Sequence, residues 1–181
     1  MMHGVCYMAS KSKTKGKNGE REVSKIFAEV FGGSWQRVFA SGAFTGGKNL
    51  FRAKTLSESQ LLNNTNDIVP PDEYKNCSLE VKSYADFEFH HLYRKDGNKT
   101  LNKWIDQVFE SGIDIEKSFP IICMKFNRIG WFCCVWGNKL SNIDYSKLNY
   151  TKFEYKDNIY YVFDMMDFIN TFTEELKIKF A

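Results

Sequence analysis

Apolar residues recur along this chain with two different periods. Val23, Ile26, Phe27, Val30 and Phe31 fall at i, i+3, i+4, i+7 and i+8. That spacing predicts a helix with one face toward a core, capped by Asn18 and ended by Gly32-Gly33. Leu101, Trp104, Ile105, Val108 and Phe109 repeat the stripe and predict a second helix that stops at Gly112. Phe168, Ile169, Phe172 and Leu176 predict a third at the C-terminus, with Asp164 as its cap. Strand patterns lie between them. Ser34–Ser41 reads as a strand, and Asp67-Ile68-Val69 as a short one stopped by Pro70-Pro71. Asp72–Asn76 is a polar turn. Ser78–Tyr84 alternates, with Leu79 and Val81 on one face and Glu80 and Lys82 on the other. Pro120–Phe126 and Gly130–Trp136 predict a hairpin buried on both faces, and Lys152–Phe163 a second that turns at Lys156, Asp157 and Asn158. This order predicts a mixed α/β domain around a central sheet, and the hairpins exclude a purely parallel one.

Two stretches stand apart from these periods. Lys11–Lys17 alternates lysine with small residues and reads as a mobile basic arm. Gly42–Asn66 is a long loop rich in Gly, Ser, Thr and Asn that carries Lys48, Arg52 and Lys54, with a helical turn expected at Leu56–Leu62. Residues 1–17 are thus expected as a flexible arm, 18–136 as the core containing loop 42–66, and 137–181 as a C-terminal hairpin-helix extension packed on it.

Composition narrows the class. The 181 residues carry 25 Lys and Arg against 22 Asp and Glu, a net charge of +3, with an ordinary apolar fraction of 43%. This is a chain able to bury a core, and wholesale disorder is excluded. It has no apolar run long enough to span a membrane, so an intracellular, cytoplasmic protein is expected. The five cysteines lack C-x-x-C spacing, and Cys123, Cys133 and Cys134 lie in apolar runs, where thiols act as small hydrophobes. The 16 Phe and 9 Tyr fall mostly at core positions, and Trp131 and Trp136 are expected in the sheet or at a dimer contact. His90-His91 reads as part of a solvated loop.

Three acids and a lysine carry the chemistry. Glu20 lies three residues before Val23 and continues the first helix's apolar stripe, so it turns a carboxylate along the inward face. Asp67 stands at a strand start. Glu80 and Lys82 project side by side from the next strand, with Cα atoms ~7 Å apart. A turn separates Asp67 from Glu80, so two paired strands bring them together. Carboxylates with room for water suit Mg²⁺ or Mn²⁺, which activates water and stabilises a phosphodiester transition state. Lys82 can orient the attacking water or offset charge on the phosphate. Lysines at 11, 13, 15 and 17, with Arg37, Lys48, Arg52 and Lys54, can meet DNA phosphates.

These residues resemble a known family. D67-I-V-P-P…L-E80-V-K82 is similar to the PD-(D/E)xK nuclease signature. K15-G-K-N-G-E20-R-E-V-S-K-I-F resembles the first helix of the archaeal Holliday junction resolvases, a branch of that superfamily. R37-V-F-A-S41-G and M124-K-F-N-R-I-G-W131 resemble two further segments of that branch. The resemblance covers about residues 15–136. It implies a restriction-endonuclease-like fold, Mg²⁺- or Mn²⁺-dependent hydrolysis of phosphodiesters, and a homodimer that cuts branched DNA. It places Glu20, Asp67 and Glu80 as metal ligands and Lys82 beside them. Ser41 would be an accessory residue near the scissile phosphate, and Gln107 occupies the place of a Gln near the site in many superfamily members. Three departures stand out: Asn66 in place of the signature's Pro, the longer loop, and a C-terminal part without a counterpart. The alternatives are another nuclease of this fold, of restriction or repair type, and a non-catalytic DNA-binding protein that keeps the fold.

Overall fold

In the computed structural model, which describes residues 11–38, 66–95 and 97–181, one seven-stranded sheet organises the chain. Its elements are α1 (Lys11–Phe31), β1 (Gln36–Arg37), β2 (Ile68–Val69), β3 (Cys77–Tyr84), α2 (Lys99–Glu110), β4 (Phe119–Phe126) and β5 (Gly130–Trp136). They continue as β6 (Tyr150–Tyr155), β7 (Asn158–Asp164), α3 (Met165–Thr171) and α4 (Thr173–Phe180). The strand order is β1-β2-β3-β4-β5-β7-β6. Only β3 and β4 pair in parallel among these strands, and α2 makes the crossover between them. This is the mixed sheet flanked by helices that the patterning predicts, with the restriction-endonuclease-like layout that the resemblance implies.

Alternation along the strands divides the core into two layers. Leu79, Val81, Ile121, Cys123, Cys133 and Val135 face Val23 and Phe27 of α1, Phe168 of α3, Phe172 between the last two helices and Phe180 of α4. Ile122, Met124 and Cys134 face Leu101, Trp104, Ile105 and Val108 of α2. Cys77, Cys123, Cys133 and Cys134 are buried free thiols, as their apolar surroundings imply, and burial pushes each thiol pKa up. Asn98 caps α2 by accepting from the backbone N–H groups of Thr100 and Leu101 at 3.0 and 3.1 Å. Asp164 caps α3 in the same way. The β6–β7 loop is Lys156-Asp157, both at positive φ (49° and 60°), the two-residue turn whose twist suits a hairpin.

Four expectations need correction. The first helix begins at Lys11 rather than at the expected Asn18 cap, so Lys11–Lys17 is helical. Lysine is a good helix former, and the turns behind an amphipathic stripe propagate more easily than they nucleate. The strand expected at Ser34–Ser41 contracts to Gln36–Arg37 within the described residues. The C-terminal helix is two helices, broken at Phe172, where Thr173 Oγ1 donates to the Ile169 carbonyl at 2.8 Å and competes with the helical ladder. The turn at Asp72–Asn76 is not merely polar. It buries part of Tyr74, which stacks on Trp35 at 5.7 Å and donates to the Phe31 carbonyl at 2.9 Å. The long loop, its expected turn at Leu56–Leu62, and Ser41, Lys48, Arg52 and Lys54 lie outside the described residues.

Residues 137–181 share both the sheet and the core. β7 pairs directly with β5, and β6 closes that end of the sheet. The apolar faces of α3 and α4 complete the layer that α1 begins.

Candidate active site

The site forms where the sheet runs short. Strand β2 has two residues and pairs with β3 at Ile68↔Leu79. The Asp67 N–H extends that ladder to the Leu79 carbonyl at 3.1 Å, and the Asp67 carbonyl accepts from Val38 at 2.9 Å. Two residues further along β3, the Val81 N–H donates to the Asp67 carboxylate Oδ2 at 2.8 Å. A side chain thus takes the place of a strand, and Asp67, only 8% exposed, is fixed beside Glu80. Asn66, the departure from the signature's proline, is also built in. It is buried, and its Oδ1 accepts from Ser78 Oγ at 2.7 Å. A side-chain bond anchors the start of β2 where a proline would fix φ.

Glu80 and Lys82 share the face of Ile122 and Met124, their partners on β4. Both side chains are mostly covered, and Lys82 Nζ donates to Glu80 Oε1. Burial pushes the Glu80 carboxyl up to about 7, and the negative charges of Asp67 and Glu20 add to that, while Lys82 opposes it. Three carboxylates therefore sense one another across two strands and a helix. Such convergence is costly without a cation.

Glu20 arrives from α1. The helix crosses β3 closely at Gly19, where a Cβ would lie 3.5 Å from Ser83 Cβ, 3.6 Å from Val81 Cγ1 and 3.7 Å from the Trp131 ring. Those are ordinary contacts, so Gly19→Ala is expected to be nearly neutral in a thermal melt. Gly19→Leu has no such room and is expected to lift α1 and cost about 1–3 kcal/mol. Equal melts for the two variants would contradict this close crossing.

Three partners were not legible in the sequence. Arg37, expected on phosphates, places Nη1 3.0 Å from Glu20 Oε2, with both side chains largely covered. It orients the carboxylate of Glu20. Glu22, off the apolar stripe, accepts from Trp131 Nε1 at 2.8 Å and from Lys125 Nζ. These bonds tie the start of α1 to the β4–β5 hairpin and hold the Glu22 carboxyl below its ordinary range despite some desolvation. Their partners lie over a hundred residues apart, beyond the reach of local periodicity. Gln107 is exposed on α2, on the side away from the buried stripe of Leu101, Trp104, Ile105 and Val108. Ordinary solvation accounts for it. Trp131 and Trp136 pack in the sheet, the latter donating to Asn158 Oδ1 at 3.2 Å.

The donor set is all oxygen and all acidic. Hard, oxygen-seeking divalent ions such as Mg²⁺ or Mn²⁺ suit it.

Comparison with known proteins agrees with this chemistry. Residues 11–180 match the family described as "phage putative PDDEXK endonuclease". Protein D14 of Escherichia phage T5 is 32% identical over 127 residues, covering 68% of this chain and 70% of that protein. No solved structure matches the chain. The match runs through α4, so the C-terminal hairpin and helices that had no counterpart in the archaeal resemblance are part of the family's own pattern. With Glu80 and Lys82 on β3, Asp67 at the start of β2 and Glu20 on α1, the chain belongs to the phage PDDEXK endonuclease family.

Proposed function

We propose that this chain is a divalent-metal-dependent, structure-selective DNA endonuclease that resolves four-way junctions as a homodimer. The observation that carries the nuclease chemistry is the convergence of Glu20, Asp67 and Glu80 with Lys82, in which Glu80 is pushed up to about 7. The junction preference rests on the resemblance of the first helix and of the β4–β5 hairpin to the archaeal resolvases. Two identical sites related by a two-fold axis suit a branch that is itself nearly two-fold.

Each residue then has a role. Asp67, Glu80 and Glu20 would hold Mg²⁺ or Mn²⁺. The chemistry such an ion supplies when bound is a more acidic water and an offset for charge on the phosphate. Arg37 keeps the Glu20 carboxylate turned toward the cluster. The Asp67 carboxylate is pinned by the Val81 N–H through Oδ2, which leaves Oδ1 for a ligand. Lys82, paired with Glu80 at rest, is placed to orient the attacking water or to meet a non-bridging phosphate oxygen. Lys11, Lys13, Lys15 and Lys17 of α1, together with Lys48, Arg52 and Lys54, would hold the DNA backbone without reading bases, and Ser41 would be an accessory residue near the scissile phosphate.

The test compares a labelled four-way junction with a linear duplex of the same sequence, a fork and a single strand, each with Mg²⁺. Paired nicks near the branch, at a rate at least ten-fold above the duplex, are expected. Equal cutting of duplex and junction would overturn the junction preference and favour a nuclease of restriction or repair type.

A further inference from the structure

The chain leaves β3 through a second, unrelated set of donor groups. Beyond Tyr84 it forms a short 3-10 turn, Phe89–Tyr93, before α2 begins. The turn is anchored from inside. Phe89 packs on Phe87, Phe126 and Phe132 with ring centroids 4.8, 5.4 and 4.9 Å apart, and Leu92 is 3% exposed. The Glu88 carbonyl accepts from the His91 N–H at 3.0 Å and from Asn98 Nδ2 at 3.1 Å. With positions 89 and 92 turned inward, 88, 90 and 91 remain at the surface. His91 Nδ1 lies 3.0 Å from Glu88 Oε2, and the two imidazole rings are 4.4 Å apart. One ligand atom from each of Glu88, His90 and His91 falls within 4.8 Å of the others.

Two imidazole nitrogens and one carboxylate oxygen form a donor set unlike the all-carboxylate cluster of the active site. Imidazole suits zinc and its neighbours in the transition series, whereas Mg²⁺ prefers oxygen alone. We propose that Glu88, His90 and His91 bind a zinc-class divalent ion in a site separate from the catalytic one. Three protein ligands leave a position for water, so the ion sits at the surface and staples the turn that joins β3 to α2. The turn is held by the packing of Phe89 on its aromatic neighbours and by buried Leu92 before any ion arrives, so little ordering remains to be done on binding.

Zn²⁺ titration of the full chain by calorimetry, with Co²⁺ absorption as a spectroscopic readout, tests this. Wild type and Glu80→Gln are expected to bind about one equivalent alike, in the presence of excess Mg²⁺. His90→Ala and His91→Ala are expected to bind at least ~10-fold more weakly and to lose the Co²⁺ bands. Zn²⁺ should raise the melting temperature of wild type and Glu80→Gln but not of the two histidine variants. His90 is exposed and His91 is outside the core, so both variants should keep the wild-type circular dichroism. Binding that survives the double histidine variant, binding that vanishes in Glu80→Gln, or the absence of saturable binding would each overturn the proposal.

Discussion

Glu80→Gln is expected to abolish DNA cleavage and, with divalent ions chelated, to make the protein more stable than the native chain above neutral pH. The reason lies in the carboxyl carried from 4.5 to about 7 by burial and by the charges of Asp67 and Glu20. The folded protein binds that proton more tightly than the unfolded chain, by about 3 kcal/mol. Between pH 4.5 and 7 the folded state therefore holds more protons than the unfolded one, and stability falls as pH rises. The contribution of protonated Glu80 is complete below 4.5 and gone above about 7. A glutamine keeps the volume and cannot ionise, so the variant should lack this part of the slope. Urea melts in chelator at pH 5 and pH 8 check it: the native chain should lose up to about 3 kcal/mol relative to the variant between them. Mg²⁺ should restore stability to the native chain at pH 8 and leave the variant unchanged. Activity should fall at least ~10³-fold, because the carboxylate that would hold the metal is gone. Parallel pH dependences for the two proteins would contradict the coupling of these acids. The cluster is thus a place where buried, mutually repelling carboxylates lower stability.

Phe168→Ala is expected to cost about 3–5 kcal/mol, a large part of the stability of a domain of this size. Phe168 is fully buried and stacks on Phe163 of β7 at 4.8 Å and edge-on to Phe172 at 5.6 Å. It lies in the same apolar layer as Val23 and Phe27 of α1, the helix that carries Glu20. The damage should therefore reach the active site although Phe168 is remote in sequence. A single cooperative melt, shifted down for the whole chain, is the expected result. Loss of only a minor transition, with nuclease activity kept, would show that residues 137–181 fold as an independent appendage. The sheet argues otherwise, since β7 lies between β5 and β6.

Much of the candidate site's geometry was readable because its residues obey local rules. Strand alternation put Glu80 and Lys82 together, a short turn returned Asp67 to them, and helical spacing marked Glu20. What escaped depends on distant partners or on competition within a pattern. The pairing of Arg37 with Glu20, and of Glu22 with Lys125 and Trp131, joins segments whose meeting only the assembled sheet decides. The helical state of Lys11–Lys17 was hidden because the segment has no apolar stripe, the signal on which periodicity relies. The break at Phe172 was hidden for the opposite reason: the apolar pattern continues across it. The insertion of β7 beside β5, with the sequence-earlier β6 outside it, follows from which hairpin face is the more apolar. β7 buries Tyr160 to Phe163 in an unbroken run, whereas β6 alternates with solvent.

The central claim is that Glu20, Asp67, Glu80 and Lys82 form one metal-dependent phosphodiesterase site. The most direct measurement is cleavage of a labelled four-way junction and its linear duplex by the full chain, with Mg²⁺ and with EDTA, beside Asp67→Asn and Lys82→Ala at equal DNA occupancy. Strand cutting by the native chain that disappears in EDTA and in both variants, with DNA still bound, is the predicted result. Cutting that persists in EDTA or in both variants, or no cutting of either DNA by a folded, DNA-bound native chain, would contradict the account.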